Sequence, residues 1–215
     1  MKKIVLFGAG GLGKEVANMI REINKWHPTY DLLGFIVEEK YFKPNTYVNE
    51  LPIIGDEQWL LQNKDVLCCC TIADVQQKAR IQNALSNQGI KFETIKDVTA
   101  YVAPYSSVDD GCIFYPYVMV SSNVVIGKGV LLNSYVTVGH DTSIGEYSTV
   151  QPSTGISGNV KIGEKVSIGG HAFIVPGKKI GDRAVVAAGS IVFSNVKANT
   201  TVLGNPAKRM RELED

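Results

Sequence analysis

From Val102 onward an apolar residue returns at every sixth position without one insertion: Val102, Val108, Phe114, Val120, Ile126, Leu132, Val138, Ile144, Val150, Ile156, Ile162, Ile168, Ile174, Ile180, Val186 and Val192. The second place of these hexads is often Gly or another small residue (Gly127, Gly139, Gly145, Gly163, Gly169, Gly181, Ala187). The fifth is mostly small or β-branched (Ser106, Cys112, Val118, Val136, Thr142, Ser148, Ala172, Ala184, Ser190). A six-residue period fits neither a helix, whose apolar face recurs every three to four residues, nor hairpin strands broken by turns of irregular length. It predicts a solenoid of short strands. The first position fills the axis, the fifth fits beside it with Cys112 as an inward filler, and Gly or Asn near the corners accepts conformations that β-branched residues resist.

The first hundred residues follow a different rule. Ile4-Val5-Leu6-Phe7 is a short apolar run, followed by Gly8-Ala9-Gly10-Gly11-Leu12-Gly13 and then by helical spacing from Lys14 to Ile20. That order predicts strand, glycine-rich turn and helix, with backbone N–H groups at a helix N-terminus placed to approach a phosphate. Further strands are expected at Leu33–Val37, Val66–Cys70 and Phe92–Ile95, with a helix from Val75 to Ser86. This is half of a doubly wound fold, enough for a mononucleotide and too short for a dinucleotide domain. Glu38 and Glu39, at the end of the second strand, stand where a carboxylate receives ribose or base donors. The expected organisation is a Rossmann-like α/β domain over residues 1–98 and a β-helix over 99–215.

Composition narrows the function. Twenty-two basic residues against 21 acidic ones leave a formal charge of +1, which offers no global field for nucleic acid or an anionic membrane. The N-terminal apolar run is too short for a signal peptide and no run approaches membrane-spanning length, so a cytoplasmic chain without membrane insertion is expected. Cys68-Cys69-Cys70 reads as a buried strand, because neighbouring side chains point to opposite faces and cannot chelate together. No metal-ligand spacing is present, and no metal is expected.

The uninterrupted hexads resemble the hexapeptide-repeat family, in which six residues form one side of a triangular prism and three sides complete a coil of a left-handed parallel β-helix. Joined to a truncated Rossmann-like domain, they resemble the sugar acetyltransferases of bacterial surface-glycan pathways, the bacillosamine-pathway and perosamine N-acetyltransferases among them; sialic acid O-acetyltransferases share the layout. The resemblance implies a homotrimer, acetyl-CoA as co-substrate in the groove between neighbouring prisms, and an acceptor whose nucleotide sits on the N-terminal domain while its C4 amine reaches the β-helix. Carried over, Gly10, Gly11, Leu12, Val37, Glu38 and Thr71 line the nucleotide site, with Thr71-Ile72 standing where relatives often have Gly-Asn. Cofactor contacts map onto Thr149, Gly170 and Ala188. The C-terminal Gly204-Asn205-Pro206-Ala207-Lys208-Arg209 matches the turn that closes these helices, and places Lys208 and Arg209 for CoA phosphates.

Acetyl transfer from a thioester needs a base for the attacking group. There are three histidines, His27, His140 and His171. His27 precedes Pro28 in a loop of the small domain, and His171, also at an outward position, reads either as surface composition or as a contact to the cofactor. His140 takes the third place of its hexad, beside a corner and outward. The stretch Asn133 to Asp141 resembles the family's catalytic segment, an Asn followed by a His and an acidic residue. The match implies His140 as base, Asp141 as the carboxylate that raises its basicity and Asn133 as a substrate contact. Two alternatives accompany N-acetylation of an aminosugar: O-acetylation of a sugar of the sialic acid type, and a non-catalytic nucleotide-binding scaffold.

Overall fold

In a computed structural model, which describes residues 1–210, the chain divides into two units, Met1–Asp97 and the residues from Val98 onward. In the first, strand β1 (Lys2–Phe7) pairs in parallel with β2 (Tyr30–Ile36) and β5 (Leu67–Cys70). Strand β4 (Leu51–Gly55) lies parallel to β2, and β3 (Tyr47–Val48) closes that edge antiparallel to β4. Ile4 to Phe7 are almost wholly buried, as befits a central parallel strand covered on both faces. Helix α1 (Gly11–Trp26) turns Val16, Ala17, Met19, Ile20 and Ile23 inward at helical spacing. Helices α2 (Glu57–Gln62) and α3 (Val75–Ser86) begin at Asp56 and Asp74, whose carboxylates accept the first free amides. Cys68 and Cys70 join the core cluster with Val5, Phe7, Ile81 and Leu85.

Two local features differ from the sequence expectation. The β3–β4 hairpin and α2 fill the stretch between β2 and β5 that carried no predicted element; the hairpin turns on Asn49 and Glu50, both at positive φ, and Pro52 follows inside β4. The strand expected over Phe92–Ile95 does not form as a unit. Phe92 makes a single bridge to Cys68, and Ile95–Lys96 forms a separate pair. Between them Glu93 is drawn aside, its carboxylate accepting from Lys2 at 2.7 Å and from the Tyr30 hydroxyl at 3.1 Å.

The second unit is the left-handed parallel β-helix. Sixteen two-residue strands run from Tyr101–Val102 to Ile191–Val192, and every first hexad position is the second residue of its strand. Each strand pairs in parallel with the one eighteen residues on, for example Thr137–Val138 with Gly155–Ile156. Three faces result. The first carries the strands ending at Val102, Val120, Val138, Ile156, Ile174 and Val192. The second carries those ending at Val108, Ile126, Ile144, Ile162 and Ile180. The third carries those ending at Phe114, Leu132, Val150, Ile168 and Val186. From Phe114 to Val192 every axis residue is at most 4% exposed. Burying each such side chain stabilises the prism by about 1.5–3 kcal/mol.

Fifth-position hydroxyls are satisfied within the stack. Thr142 Oγ1 donates to the Ser157 carbonyl at 3.0 Å, Ser148 Oγ to Gly163 at 2.9 Å and Thr154 Oγ1 to Gly169 at 3.0 Å. The corner glycines have a different reason from the one expected. Left-handed backbone falls at the fourth hexad position, taken by Tyr117, Asn123, Tyr135, Asp141, Tyr147 and His171 among others. Second-position glycines are instead required by close approach: a Cβ on Gly139 would lie 2.4 Å from the Gly158 nitrogen, and one on Gly169 2.4 Å from the Ala188 nitrogen. After Val192 the eighteen-residue spacing shortens to sixteen. Val196 bridges to Ile180 and Thr201 pairs with Val185, and Lys208–Arg209 folds back antiparallel on Thr201–Leu203.

Candidate active site

In the first unit the glycine-rich turn joins β1 to α1 under a cavity of about 450 Å³. Lys14 N–H makes the first helical bond, to the Gly10 carbonyl at 3.1 Å, so the amides of Gly11, Leu12 and Gly13 precede the ladder. Gly10 supplies no side-chain cap and the first turn holds no acidic residue, which leaves that end of the helix disposed toward an anion. Gly13 has to be Gly, since a Cβ there would meet the Gly8 carbonyl oxygen at 2.1 Å.

Gly10, Gly11, Leu12, Val37, Glu38 and Thr71 all line this cavity. Glu38 accepts from Arg80 at 2.5 Å and pairs with Lys40 at 3.5 Å. The Arg80 hydrogen bond holds its carboxyl below the ordinary range, so it presents an ionised acceptor. Thr71 is buried and its hydroxyl bonds the Gly8 carbonyl at 2.7 Å, so its donor shapes the glycine turn. Glu39 is exposed and lies outside this cavity. His27, also exposed, caps the C-terminus of α1.

In the β-helix His140 stands at the corner between the first and second faces, with 61% of its side chain exposed. Neighbouring coils fix its backbone: Gly139 N–H donates to Ile156 at 2.7 Å, Asn159 N–H to His140 at 2.8 Å, and Asp141 N–H to Ser122 at 3.1 Å. Its ring is held from two sides. Nδ1 lies 2.7 Å from Asp141 Oδ2, and below the ring is Gly158, where a Cβ would sit 2.7 Å from Nε2. Asp141 Oδ1 accepts from Asn123 Nδ2 at 3.2 Å, and the contact with His140 is the main cause of its lowered pKa. Because the ionised carboxylate can only accept, it fixes the proton on Nδ1 and leaves the Nε2 lone pair free.

Asn133, Gly170 and Ala188 occupy the other corner, between the third and first faces, where Gly189 N–H donates to the Gly170 carbonyl at 2.9 Å. His171 is exposed at that same corner, on a different edge of the prism from His140. The shortened last coil leaves a cavity of about 300 Å³ lined by Lys197, Thr200 and Arg209.

Residues 123–158 match the bacterial transferase hexapeptide (six repeats) model, and residues 3–85 match the PglD N-terminal domain. The chain is an acetyltransferase built on a hexapeptide repeat. The enzyme is similar to the acetyltransferase domain of PglB from Neisseria gonorrhoeae in complex with acetyl coenzyme A, at 25% identity and a TM-score of 0.87, over 97% of this chain and 99% of that one. It is similar to WeeI from Acinetobacter baumannii at 25% identity and a TM-score of 0.79, over 98% and 100% of the two chains. PerB from Caulobacter crescentus, in complex with CoA and GDP-perosamine, shares its fold at 22% identity and a TM-score of 0.88, over 98% of each chain. No curated protein sequence matches it.

Two of the enzyme's expected cofactor contacts are placed differently from Gly170 and Ala188. Thr149 is only 3% exposed, so its side chain is not open to a ligand in this conformation. Lys208 is exposed but does not line the C-terminal cavity, which takes its cationic character from Lys197 and Arg209. The pairing of Lys208 with Leu203 on the terminal hairpin accounts for this, because adjacent residues of a strand point to opposite sides. Asn123, Gly158 and Lys197 were missed by sequence reasoning. The first two are detectable as the positions eighteen residues before Asp141 and after His140. Among the described residues no group of His, Cys, Asp and Glu could hold a metal ion, and no helix is long and apolar enough to cross a membrane.

Proposed function

We propose that the enzyme transfers the acetyl group of acetyl-CoA to the C4 amine of a nucleotide-linked aminodeoxysugar for surface-glycan synthesis, as a cytoplasmic homotrimer, with His140 as general base. The observation that carries this reading is the His140–Asp141 pair at 2.7 Å on an exposed corner, with Nε2 unoccupied. The acceptor amine attacks the thioester carbonyl and gives its proton to Nε2. Asp141 stabilises the imidazolium, and collapse of the tetrahedral adduct expels the CoA thiolate, which takes that proton to leave an amide and a thiol. The nucleotide would lie in the α1 cavity, its phosphates on the Gly11, Leu12 and Gly13 amides and its ribose or base donors on Glu38. PerB in complex with GDP-perosamine and PglB in complex with acetyl coenzyme A support this choice of acceptor and donor.

A trimer explains why the candidate residues occupy two corners. Between Asn133, Gly170 and Ala188 on one edge and His140 on the other lies the first face, with Tyr101, Met119 and Phe173 exposed, and the stacked Tyr117 and Tyr135 bordering it. Packing this apolar face against a second copy would bring one copy's cofactor corner beside the next copy's base. The Lys197 and Arg209 cavity would take CoA phosphates.

The test is thiol release from acetyl-CoA against UDP-, dTDP- and GDP-linked 4-amino sugars, with sialic acid alongside. Turnover of one nucleotide aminosugar, lost about a hundredfold or more in His140→Ala while CoA binding persists, is the expected result. Turnover of sialic acid alone would replace the reading by O-acetylation. Silence across the panel together with absent CoA binding would leave a scaffold.

A further inference from the structure

The carboxylate that orients His140 is itself exposed and short-armed. With 47% of its side chain open to solvent, Asp141 has no packing to choose its rotamer. Its two oxygens are nevertheless used separately: Oδ2 meets His140 Nδ1 at 2.7 Å, and Oδ1 accepts from Asn123 Nδ2 at 3.2 Å. Asn123 stands one coil before Asp141 at the same corner, and both are in the left-handed region, at φ 60 and 56. Backbone need alone would explain an Asn or a Gly there. It would not explain an amide that points along the stack to the free oxygen of the one carboxylate touching His140.

We propose that Asn123 is a positioning residue: its amide holds the Asp141 carboxylate against His140 Nδ1 and so aims Nε2 outward. This rests on His140 being the base. In this role Asn123 acts through Asp141, whose Oδ1 its amide meets. On the adjoining coils the residues stacked at this corner, Ser121 to Val124 and Ser157 to Val160, carry no charge. By register the next titratable groups are Lys161 on the second face, with Tyr105 and Lys178 two coils away along the corner. Among the described residues no charged group along this corner is therefore placed to do the same work.

Three variants of the full-length enzyme test this. Asn123→Gly keeps the left-handed backbone and removes the amide, so the unfolding midpoint should hold while kcat falls about three- to tenfold, with both KM values unchanged. In an Asp141→Ala background the same change should cost nothing further, because the group through which Asn123 acts is gone. Asn123→Asp places a second negative charge beside the pair, which favours the imidazolium, so the acid limb of the kcat/KM profile should move to higher pH. Wild-type kcat in Asn123→Gly, or an undiminished loss in the Asp141→Ala background, overturns the proposal. Wild-type turnover of His140→Ala removes the base and the proposal together; an inactive His140→Ala beside a wild-type Asn123→Gly removes only the role of Asn123.

Discussion

Gly158 offers a way to move the catalytic ring without touching the coil that carries it. Its φ lies outside the left-handed region, so the backbone accepts Ala, but the new methyl would stand 2.7 Å from His140 Nε2 and 2.8 Å from Cε1. Carbon contacts settle near 3.5 Å, so the ring has to retreat by about 0.8 Å. It can do so cheaply, being 61% exposed, resting on Gly158 on one side and hydrogen-bonded to Asp141 on the other. Gly158→Ala should therefore leave the thermal unfolding midpoint unchanged or slightly raised, since Ala in place of Gly contributes about 0.4–1 kcal/mol through the unfolded chain. The base is misplaced by most of an ångström, and kcat should fall roughly 10- to 100-fold, or about 1.4–2.7 kcal/mol of barrier. Gly139→Ala is the counterpart. Its methyl would meet the Gly158 backbone nitrogen at 2.4 Å, which cannot swing aside, so it should cost about 1–3 kcal/mol of stability. Thiol release and thermal unfolding on the two variants separate the cases. A Gly158→Ala enzyme with wild-type kcat, or one destabilised like Gly139→Ala, would refute the claim that a movable ring fills this space.

Removing the cations of the last coil, Lys197→Ala with Arg209→Ala, should raise the KM for acetyl-CoA about three- to tenfold with little change in kcat, and acetyl-dephospho-CoA should be less affected. Glu38 has its pKa lowered below 4.5 by Arg80 and then Lys40, so its contribution is present above that value and is lost as pH falls through the lower folded one. Acid unfolding followed across the carboxylate range should thus be shallower in Glu38→Gln than in the wild type. Burial pushes the Cys70 thiol up to about 11 and Cys68 well above its ordinary value. A thiol reagent near neutral pH should leave all four buried cysteines untouched until the protein unfolds, and fast labelling of the native enzyme would contradict this burial.

The axis of the prism was readable because each coil imposes the same inward position on a residue that has to be apolar, from Val102 to Val192. The corners were less so. Tyr135, Lys165 and Arg183 carry no turn signal, yet each is held in the left-handed region, with its N–H bonded to the preceding coil at Pro116, Glu146 and Glu164. Stacking sets that conformation, whose cost of about 1–2 kcal/mol per residue propensity alone would not accept. The β3–β4 hairpin escaped notice because its turn reads Asn-Glu in place of Asn-Gly, and Pro52 interrupts the strand pattern. His140, Asp141 and the α1 cavity residues were legible as motifs. Asn123 and Gly158 belong to no motif; they matter through what lies one coil away.

The regular coil also gives the enzyme a natural unit of growth. Duplicating any eighteen-residue stretch inside the repeat would return every later side chain to the face it left, displaced along the axis by one strand spacing, about 4.8 Å. Gaining or losing six residues would instead turn everything downstream onto a different face, carrying Gly170 and Ala188 away from their edge. Lineages that lengthen or shorten this prism between His140 and its terminal cavity are thus confined to whole-coil steps, and the span offered to an extended cofactor changes in fixed increments.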